Sequence, residues 1–236
     1  MPSIVHEHTG PFKKATFGMG CFWANDCLFG AQQGVIRTRV GYSGGTTPDP
    51  VYRNIDVPST SGQTKPKSSV KDRGDHTEVV EIDYDPKLIS YDELLELFWE
   101  NHEYGLTTII KRQYMSLILY HDEDQKRLAE ISYKKQENKR KEKLTTEIAP
   151  AGPFYPAEDY HQKYRLQGHA ILCEDLGMTP ELLQTSHIAA RLNGYVAGVG
   201  KIEDLEREAV KFGFTDKITA YVRKQMQENE GGSLYC

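Results

Sequence analysis

A cysteine at the junction of a predicted strand and a predicted helix is the residue of this chain best suited to chemistry. Cys21 directly follows the Gly-Met-Gly segment 18–20, and glycines let the backbone turn sharply and approach a ligand closely. At a helix N-terminus, unpaired backbone N–H groups and the positive end of the helix dipole favour the nucleophilic thiolate. Buried cysteines that only pack occur in the same pattern, so the residues alone leave both interpretations open.

Two aromatic residues, Phe22 and Trp23, come immediately after this cysteine. Beside a reactive thiol they would form a small apolar wall for a substrate. Paired aromatic residues are also common in protein cores, so this feature by itself does not separate a pocket from packing.

The remaining cysteines, Cys27, Cys173 and Cys236, form no recognisable metal or disulfide pattern. The chain has neither a Cys-x-x-Cys pair nor cysteines and histidines at the spacing of zinc ligands, so we expect no metal. Four cysteines in 236 residues do not resemble the disulfide framework of a small secreted domain. Each is therefore either a buried packing residue or a chemically active thiol.

The composition is that of a globular protein with no electrostatic preference for a polyanion. Hydrophobic residues make up 38% and charged residues 27% of the chain, and the formal net charge is -5. We therefore expect no binding to nucleic acid or to a membrane. Residues 1–12 lack the apolar run of a signal peptide, and no segment has the ~20 apolar residues that cross a bilayer. These features predict a cytoplasmic protein, and nothing in them indicates an obligate assembly, so we expect a monomer.

Strands and helices alternate through the first two thirds of the chain. The predicted elements are strand 14–20, helix 21–28, strand 34–40, strand 77–84, a helix after a capping box at Ser90 and Glu93, strand 114–120, helix 122–143 and strand 145–148. Residues 57–73 are predicted to be a long exposed loop. This order predicts an α+β fold, a two-layer sandwich with a mixed central sheet and a ferredoxin-like core.

The last third has a different, purely helical pattern. A helix is predicted from Thr179-Pro180 to Arg191, ending at Asn193-Gly194, with further helices over 202–211 and 215–227. We therefore predict a catalytic domain over residues 1–165. A helical C-terminal extension follows over 166–236 and ends in a flexible tail that carries Cys236.

The chain resembles methionine sulfoxide reductase A in many ordered blocks between Lys14 and Tyr164. These blocks are Gly20–Trp23, Gly41–Gly45, Pro48–Tyr52, His76–Glu78, Tyr84–Pro86, Phe98–His102, Gln113-Tyr114 and Phe154–Gln162. The resemblance implies an oxidoreductase that reduces methionine-S-sulfoxide, free or in proteins, and repairs proteins after oxidative stress. It also implies no bound cofactor, with thioredoxin as the electron donor and partner.

The resemblance assigns roles to the two reacting groups. Cys21 matches the cysteine that attacks the sulfoxide sulfur, and Glu78 matches the glutamate that supplies a proton to the oxygen. In this chain Asp75 separates Gly74 from His76, a small departure from the family's spacing. A carboxyl that donates near neutral pH needs a raised pKa, which an apolar pocket provides. Without the resemblance, Glu78 reads as an outward-facing strand residue.

The family's substrate-binding residues also have counterparts here. Tyr52 and Tyr114 match two tyrosines that hydrogen-bond the sulfoxide oxygen, and phenols are suitable neutral donors. Phe22 and Trp23 match the residues that hold the S-methyl group. With 14 tyrosines in the chain, packing is the alternative role for either tyrosine. The expected products are methionine and a sulfenic acid on Cys21.

Two departures from the family pattern affect the expected site. The family's Asp-His-Gly-Thr before Gln-Tyr is replaced by Ile109–Arg112, so Ile109 stands where a carboxylate is expected. Glu103 could substitute for that carboxylate, or the role is dispensable in this chain. Ala24 also replaces the glycine that usually follows the Trp23 position.

A sulfenic acid is cleared by a second thiol, which forms a disulfide with it. The family's usual Gly-Tyr-Cys-Gly segment resembles residues 194–200, but Val196 occupies the cysteine position. Cys27 is about 9 Å along the helix from Cys21, too far for a disulfide, and Cys173 lies in an apolar segment. We favour Cys236, because a glycine-containing tail can span roughly 20 Å, although such tails are often only frayed.

Two other functions fit parts of the pattern. A cysteine hydrolase or acyl-transferase would pair Cys21 with a histidine base, for which His76, His102 and His161 are candidates. A non-catalytic module that docks on oxidised proteins through the helical extension would not need the thiol. The family blocks favour the reductase over both.

Overall fold

A computed structural model describes residues 6–55, 76–102, 111–140 and 143–234. The predicted loop 57–73, the Ile109 position, Glu103 and the favoured resolving residue Cys236 all lie outside these ranges.

Within these ranges, six strands form one mixed sheet in the order β5-β4-β1-β3-β2-β6. They are β1 (Lys13–Met19), β2 (Val35–Ser43), β3 (Thr77–Tyr84), β4 (Ser116–Tyr120), β5 (Glu147–Pro150) and β6 (Tyr155–Pro156). β4 and β5 are parallel, and every other neighbouring pair is antiparallel. The mixed sheet and the α+β class are confirmed.

One face of the sheet carries the main apolar core. In register, Phe17 at the centre of β1 pairs with Val80 of β3 and Ile118 of β4. Because side chains alternate along a strand, these three residues point to the same face. Three helices cover that face: α1 (Phe22–Gly30), α2 (Tyr91–Glu100) and α3 (Glu123–Arg140). The predicted capping box at Ser90 and Glu93 is present at the start of α2.

The opposite face of the sheet combines an apolar cluster around Val79, Leu117 and Leu119 with a group of ion pairs. Lys14 and Arg37 pair with Asp83, and Lys14 and Arg39 pair with Glu81. Burial raises the pKa of Glu81, but the two cations beside it outweigh burial and the net pKa is lowered. This face is thus held by ion pairs and carries an ionised glutamate.

The C-terminal helices have their own apolar core. They are α4 (Tyr164–Gln167), α5 (Ala170–Asp175), α6 (Pro180–Thr185), α7 (His187–Val196), α8 (Ile202–Phe212) and α9 (Asp216–Asn229). Their buried residues include Leu166, Leu192, Leu205 and Val222, and this cluster also takes in Ala31, just after α1. The predicted helical extension is confirmed, whereas the boundary between residues 165 and 166 stays a prediction.

The extension contacts the sheet-containing part of the chain closely, through α7 and α1. A methyl group at Gly194 would lie 2.6 Å from both Ala31 Cβ and Cys27 O, so only glycine permits this approach. The buried Arg191 donates to the carbonyl oxygens of Gly30, Gln32 and Val35. Helix α1 is therefore enclosed by the sheet on one side and by α7 on another.

The prediction of a single helix from Thr179 to Arg191 is wrong. Ser186 interrupts it, because its side chain accepts hydrogen bonds from the backbone N–H groups of Ile188 and Ala189 and caps a new helix. That helix continues through Gly194 to Val196, since close packing on α1 outweighs the weak helix propensity of glycine.

Smaller differences concern the ends of elements. β5 begins two residues later than predicted, and the two-residue β6 was not predicted. Tyr114 lies in a 3-10 turn over Arg112–Tyr114, just before β4, where a strand was predicted. In the described ranges, no helix has both the length and the apolar character needed to cross a bilayer.

Candidate active site

Cys21 lies at the N-cap of α1, as the sequence predicts. β1 ends at Met19, and the chain turns through Gly20, whose φ of 77° is one that a side chain disfavours. Cys21 has an extended backbone and a half-buried thiol that is not part of a disulfide. The thiol thus sits on a fixed turn at the positive end of a buried helix.

Glu78 is anchored directly behind this cysteine. Its Oε2 accepts a hydrogen bond of 3.1 Å from the backbone N–H of Phe22, which belongs to the peptide group that follows Cys21. Its Oε1 accepts one of 2.7 Å from the side-chain amide of Gln113. The residue is only 1% exposed, so the outward-facing interpretation of Glu78 is wrong.

The surroundings of Glu78 make it an acid that can donate near neutral pH. Burial raises its pKa to about 7, although the hydrogen bonds from Gln113 and Phe22 act in the opposite direction. Desolvation disfavours the carboxylate and, in the net balance, exceeds the help of two donors. A substantial fraction of Glu78 therefore carries a proton at neutral pH.

Tyr52 and Tyr114 lie together beside these two groups. Their phenol groups share a hydrogen bond, and burial together with the nearby Glu78 raises the pKa of Tyr114. The charge of Cys21 contributes to the same shift, which puts Tyr114 within electrostatic range of the thiol. The backbone N–H of Tyr52 donates to Glu158 over 3.0 Å, and this bond holds the exposed Tyr52 in place.

The two aromatic residues after Cys21 have different surroundings. Phe22 is buried among Val40, Tyr42 and Ile55, whereas Trp23 is only half-buried. The indole ring of Trp23 stacks on Tyr164, with ring centroids 3.7 Å apart and nearly parallel planes. Phe22 thus anchors the start of α1 in the core, and Trp23 presents a fixed apolar surface.

A buried histidine, His161, lies at the centre of this aromatic group. Its Nδ1 accepts a hydrogen bond of 3.1 Å from the indole N–H of Trp23. Its ring lies 5.0 Å from that of Phe22 and 4.7 Å from that of Tyr52, centroid to centroid. Burial lowers the pKa of His161. This favours the neutral ring, whose Nδ1 can accept a hydrogen bond from the indole N–H.

Three supporting roles in the site are not predicted from the sequence. Gln113 orients Glu78, Glu158 holds Tyr52, and His161 orients Trp23. All three lie inside blocks that carry the family resemblance, so the blocks were the available signal. Their roles depend on contacts between residues far apart in the chain, which spacing does not reveal.

The remaining described cysteines are poor candidates for a second reactive thiol. Cys27 is buried between α1 and α7, accepts a hydrogen bond from Asn193, and has a pKa raised by burial. The thiol of Cys173 donates to the carbonyl of Leu166, and burial raises its pKa as well. Val196, at the family's usual cysteine position, is buried in α7.

Two of the candidate bases of the hydrolase alternative are engaged elsewhere. The ring nitrogens of His76 contact Gly45 N and Thr47 O, and those of His102 contact Phe98 O and Ser116 Oγ. His161 uses Nδ1 to hold Trp23. Within the described ranges, no three His, Cys, Asp or Glu side chains converge as a metal site would require.

The end of the C-terminal extension returns to α1. A cleft of about 480 Å³, here called the α1 cleft, is formed by Ala24, Asn25 and Leu28 of α1, residues 100–102 after α2, and residues 232–234. Leu234, the last residue described, packs against the main core. Cys236 is two positions further along the chain.

Taken together, the site combines a thiol, a carboxyl group that is partly protonated at neutral pH, two phenols and an apolar surface. A soft nucleophile with a nearby acid and neutral donors suits reductive cleavage of a bond to a poorly basic oxygen. This arrangement fits the reaction that the sequence resemblance implies.

Comparison with protein families gives two matches that together span most of the chain. Residues 13–186 match the model of the peptide methionine sulfoxide reductase family. Residues 177–214 match the helical domain of selenoprotein methionine sulfoxide reductase A. This chain has cysteine, not selenocysteine, at position 21.

Individual relatives agree with this assignment. A peptide methionine sulfoxide reductase of Drosophila melanogaster is 53% identical over 99% of this chain and 88% of its own length. The peptide methionine sulfoxide reductase A5 of Arabidopsis thaliana is 37% identical over 83% of this chain and 72% of its own length. A structure of methionine sulfoxide reductase A from Corynebacterium diphtheriae superposes with a TM-score of 0.52 and 30% identity, covering 68% of this chain and 77% of that one. The chain therefore belongs to the methionine sulfoxide reductase A family of oxidoreductases, which reduce methionine sulfoxide.

Proposed function

We propose that this enzyme reduces the S epimer of methionine sulfoxide, free or in proteins, through a sulfenic acid on Cys21. The observation that carries the proposal is the buried Glu78, which is hydrogen-bonded to the peptide group next to Cys21 and has a pKa raised to about 7 by burial. A proton donor at this place can protonate an oxygen whose sulfur is under attack by the thiol.

The first step is a two-electron exchange between two sulfur atoms. The Cys21 thiolate attacks the sulfoxide sulfur, and Glu78 donates a proton to the oxygen as the sulfur–oxygen bond weakens. Tyr52 and Tyr114 donate hydrogen bonds to that oxygen, while Trp23 contacts the S-methyl group. The oxygen then passes to the Cys21 sulfur while the bond between the two sulfur atoms breaks and its electron pair stays on the substrate sulfur, so methionine is released and the cysteine becomes a sulfenic acid.

The second step closes a disulfide. The thiol of Cys236 attacks the sulfenic sulfur, water leaves, and a Cys21–Cys236 disulfide forms. Supporting this assignment, Cys27 is held in a buried hydrogen bond and Cys173 in a partly buried one, and the described tail leads into the α1 cleft. Thioredoxin, as the family resemblance implies, then reduces the disulfide by thiol exchange and restores both thiols.

Cysteine variants test both steps with one substrate. We expect Cys21→Ser to abolish methionine formation and Cys27→Ser, the matched control on the same helix, to keep it. Cys236→Ser should release one methionine per enzyme and then stop when thioredoxin is the reductant. Each variant is mixed with one and with twenty equivalents of each resolved epimer of methionine sulfoxide, and the methionine formed is quantified. Mass spectrometry identifies which thiols are linked. Full thioredoxin-driven turnover by Cys236→Ser would contradict the second step, and turnover by Cys21→Ser would contradict the first.

The cellular setting is part of the same proposal. We place the enzyme in the cytoplasm as a monomer that repairs oxidised proteins and carries no cofactor. Fractionation of cells and sedimentation of the purified chain test these points, and a stable dimer or an organellar location would contradict them.

A further inference from the structure

The tail after α9 follows a defined path in the described part of the chain. The side-chain amide of Asn229 donates to the carbonyl of Val196 on α7, and Gly232 N–H donates back to Asn229 O. Gly231 turns between them with a φ of 69°. These bonds direct the chain from α9 toward α1, so the helical extension fixes the start of the tail.

Leu234 ends this path on an apolar surface. Its side chain is partly buried and packs against the main core cluster, and it lines the α1 cleft together with Ala24 and Leu28. A leucine that leaves water in this way gains free energy that favours the docked tail over a free one. Gly231, Gly232 and Ser233 before it have no comparable apolar group.

The α1 residues of the cleft lie on the same helix face as Cys21. Helix periodicity brings residues three, four and seven positions apart onto one face, as Ala24, Asn25 and Leu28 are relative to Cys21. With a rise of 1.5 Å per residue, Ala24 is about 4.5 Å along the axis from Cys21. Two residues beyond Leu234 extend at most about 7 Å, which exceeds the ~4.5 Å of helix axis between Cys21 and Ala24, a residue that lines the cleft together with Leu234.

A buried polar group in the cleft points to the same occupant. The side-chain nitrogen of Asn25 has no hydrogen-bond partner within the described residues, although the residue is only 2% exposed. Buried amide donors are normally satisfied, and the backbone carbonyls of a strand of chain in this cleft are suitable acceptors. Asn25 is one helical turn from Cys21 and lines the cleft that the tail enters.

From these contacts we infer that Leu234 is a positioning residue, which seats the tail in the α1 cleft and directs Cys236 onto oxidised Cys21. The inference rests on the proposed resolving role of Cys236 and adds the anchor that makes this step fast. The occupant of the cleft is the chain's own segment around residues 234–236. Leu234 itself takes no part in the reduction of the sulfoxide.

The test separates the two chemical steps in Leu234→Asn. The enzyme is mixed with one equivalent of methionine sulfoxide and quenched at intervals. Methionine is measured by chromatography, and the disulfide by mass spectrometry after thiol alkylation. We expect unchanged formation of methionine and about tenfold slower formation of the disulfide, because a free tail reaches Cys21 less often than a docked one. Leu234→Met, which keeps an apolar side chain, should form the disulfide at close to the wild-type rate.

A matched control is Leu88→Asn, since Leu88 is a leucine that is 70% exposed and does not line the α1 cleft. We expect both of its rates to be those of the wild type. Wild-type disulfide formation in Leu234→Asn, or an equal loss of both steps, would overturn the role of Leu234 as an anchor. Disulfide formation that persists in Cys236→Ser would instead overturn the resolving role of Cys236, so the two failures are distinguishable.

Discussion

At the scale of single residues, the chemistry depends on a balance of forces at Glu78. Burial favours the neutral acid, whereas the N–H groups of Phe22 and Gln113 favour the carboxylate. The net pKa of about 7 means that the proton is held below this pH and lost as the pH rises through it. The group can thus donate to the sulfoxide oxygen at neutral pH and accept a proton again after turnover.

Tyr114→Phe tests the contribution of the phenol pair. The variant keeps the ring but removes a donor that shares a hydrogen bond with Tyr52 and lies close to Glu78. We expect the single-turnover rate of methionine formation to fall roughly 10- to 100-fold, because one donor to the developing charge is lost while another remains.

The control for this change is Tyr133→Phe on α3. It removes a hydroxyl that donates a hydrogen bond to the carbonyl oxygen of Leu144. It should leave the single-turnover rate unaltered. An undiminished rate in Tyr114→Phe would mean that Tyr114 only packs in the site and that its hydroxyl does not hydrogen-bond the sulfoxide oxygen.

Much of this site was predictable, and the reason differs from residue to residue. Cys21 was suggested by its own surroundings, a glycine turn before a helix. Glu78 was identified only through family resemblance, because alternation along β3 does not reveal that its side of the strand faces the start of α1. The pairing of Trp23 with His161 joins positions 138 apart, and only the folded chain brings them together.

At the scale of elements, α1 carries most of the functional constraints. Its first residue binds Glu78, its middle lines the α1 cleft, and its end packs against α7. Except for Trp23, every residue of the helix is buried, so its sequence shows little of the one-sided pattern of a surface helix. A short apolar helix of this kind is recognised from its boundaries and not from its periodicity.

Gly194→Ala tests the contact between α7 and α1. The added methyl group would lie 2.6 Å from Ala31 Cβ and Cys27 O, both on the packed side of α1. We expect the free energy of unfolding to fall by about 1–3 kcal/mol, because overpacking outweighs the better helix propensity of alanine. Chemical denaturation measures the change.

Gly152→Ala is the control, since no atom of the described residues, apart from its two chain neighbours, lies within 4 Å of the methyl group that it would add. It should leave the free energy of unfolding nearly constant. A Gly194→Ala variant as stable as the wild type would show that the two helices can separate without cost.

The error in the predicted helix over 179–191 also belongs to this scale. Serine also occurs at exposed positions within helices, so the residue type of Ser186 does not by itself identify a helix cap. Its role as a cap depends on the turn that precedes it. Glycine commonly ends a helix, and the sequence therefore predicts a helix end at Gly194. In the structure this glycine instead allows α7 to pack closely against α1. Tertiary contacts decided both cases against local preference.

At the scale of the whole molecule, the sheet and the helical extension both pack against α1, the helix that begins just after Cys21. The guanidinium group of Arg191 on α7 donates hydrogen bonds to the carbonyl oxygens of Gly30 and Val35. Its Nε lies 3.0 Å from Oε1 of Glu208 on α8. The hydroxyl of Tyr195 donates to the same glutamate. The extension is thus bound to the catalytic region by buried polar contacts, and its far end guides the tail back to α1.

Composition and periodicity indicated both regions but not how they fit together. The alternating first part and the helical last part were recognised, and the mixed sheet and helical extension followed. The docking of α7 on α1 and the return of the tail depend on contacts between residues more than 150 positions apart. Such contacts leave no local trace in the sequence.

The central claim is that Glu78 gives its proton to the sulfoxide as Cys21 attacks. Its most direct test is the single-turnover rate of methionine formation between pH 5 and 9, for the wild type, Glu78→Gln and the control Glu81→Gln on the opposite face of β3. We predict that the wild-type and Glu81→Gln rates decline above a pH of about 7. Glu78→Gln should be at least about 100-fold slower and lack this decline. A Glu78→Gln enzyme with the wild-type rate and pH profile would contradict the mechanism.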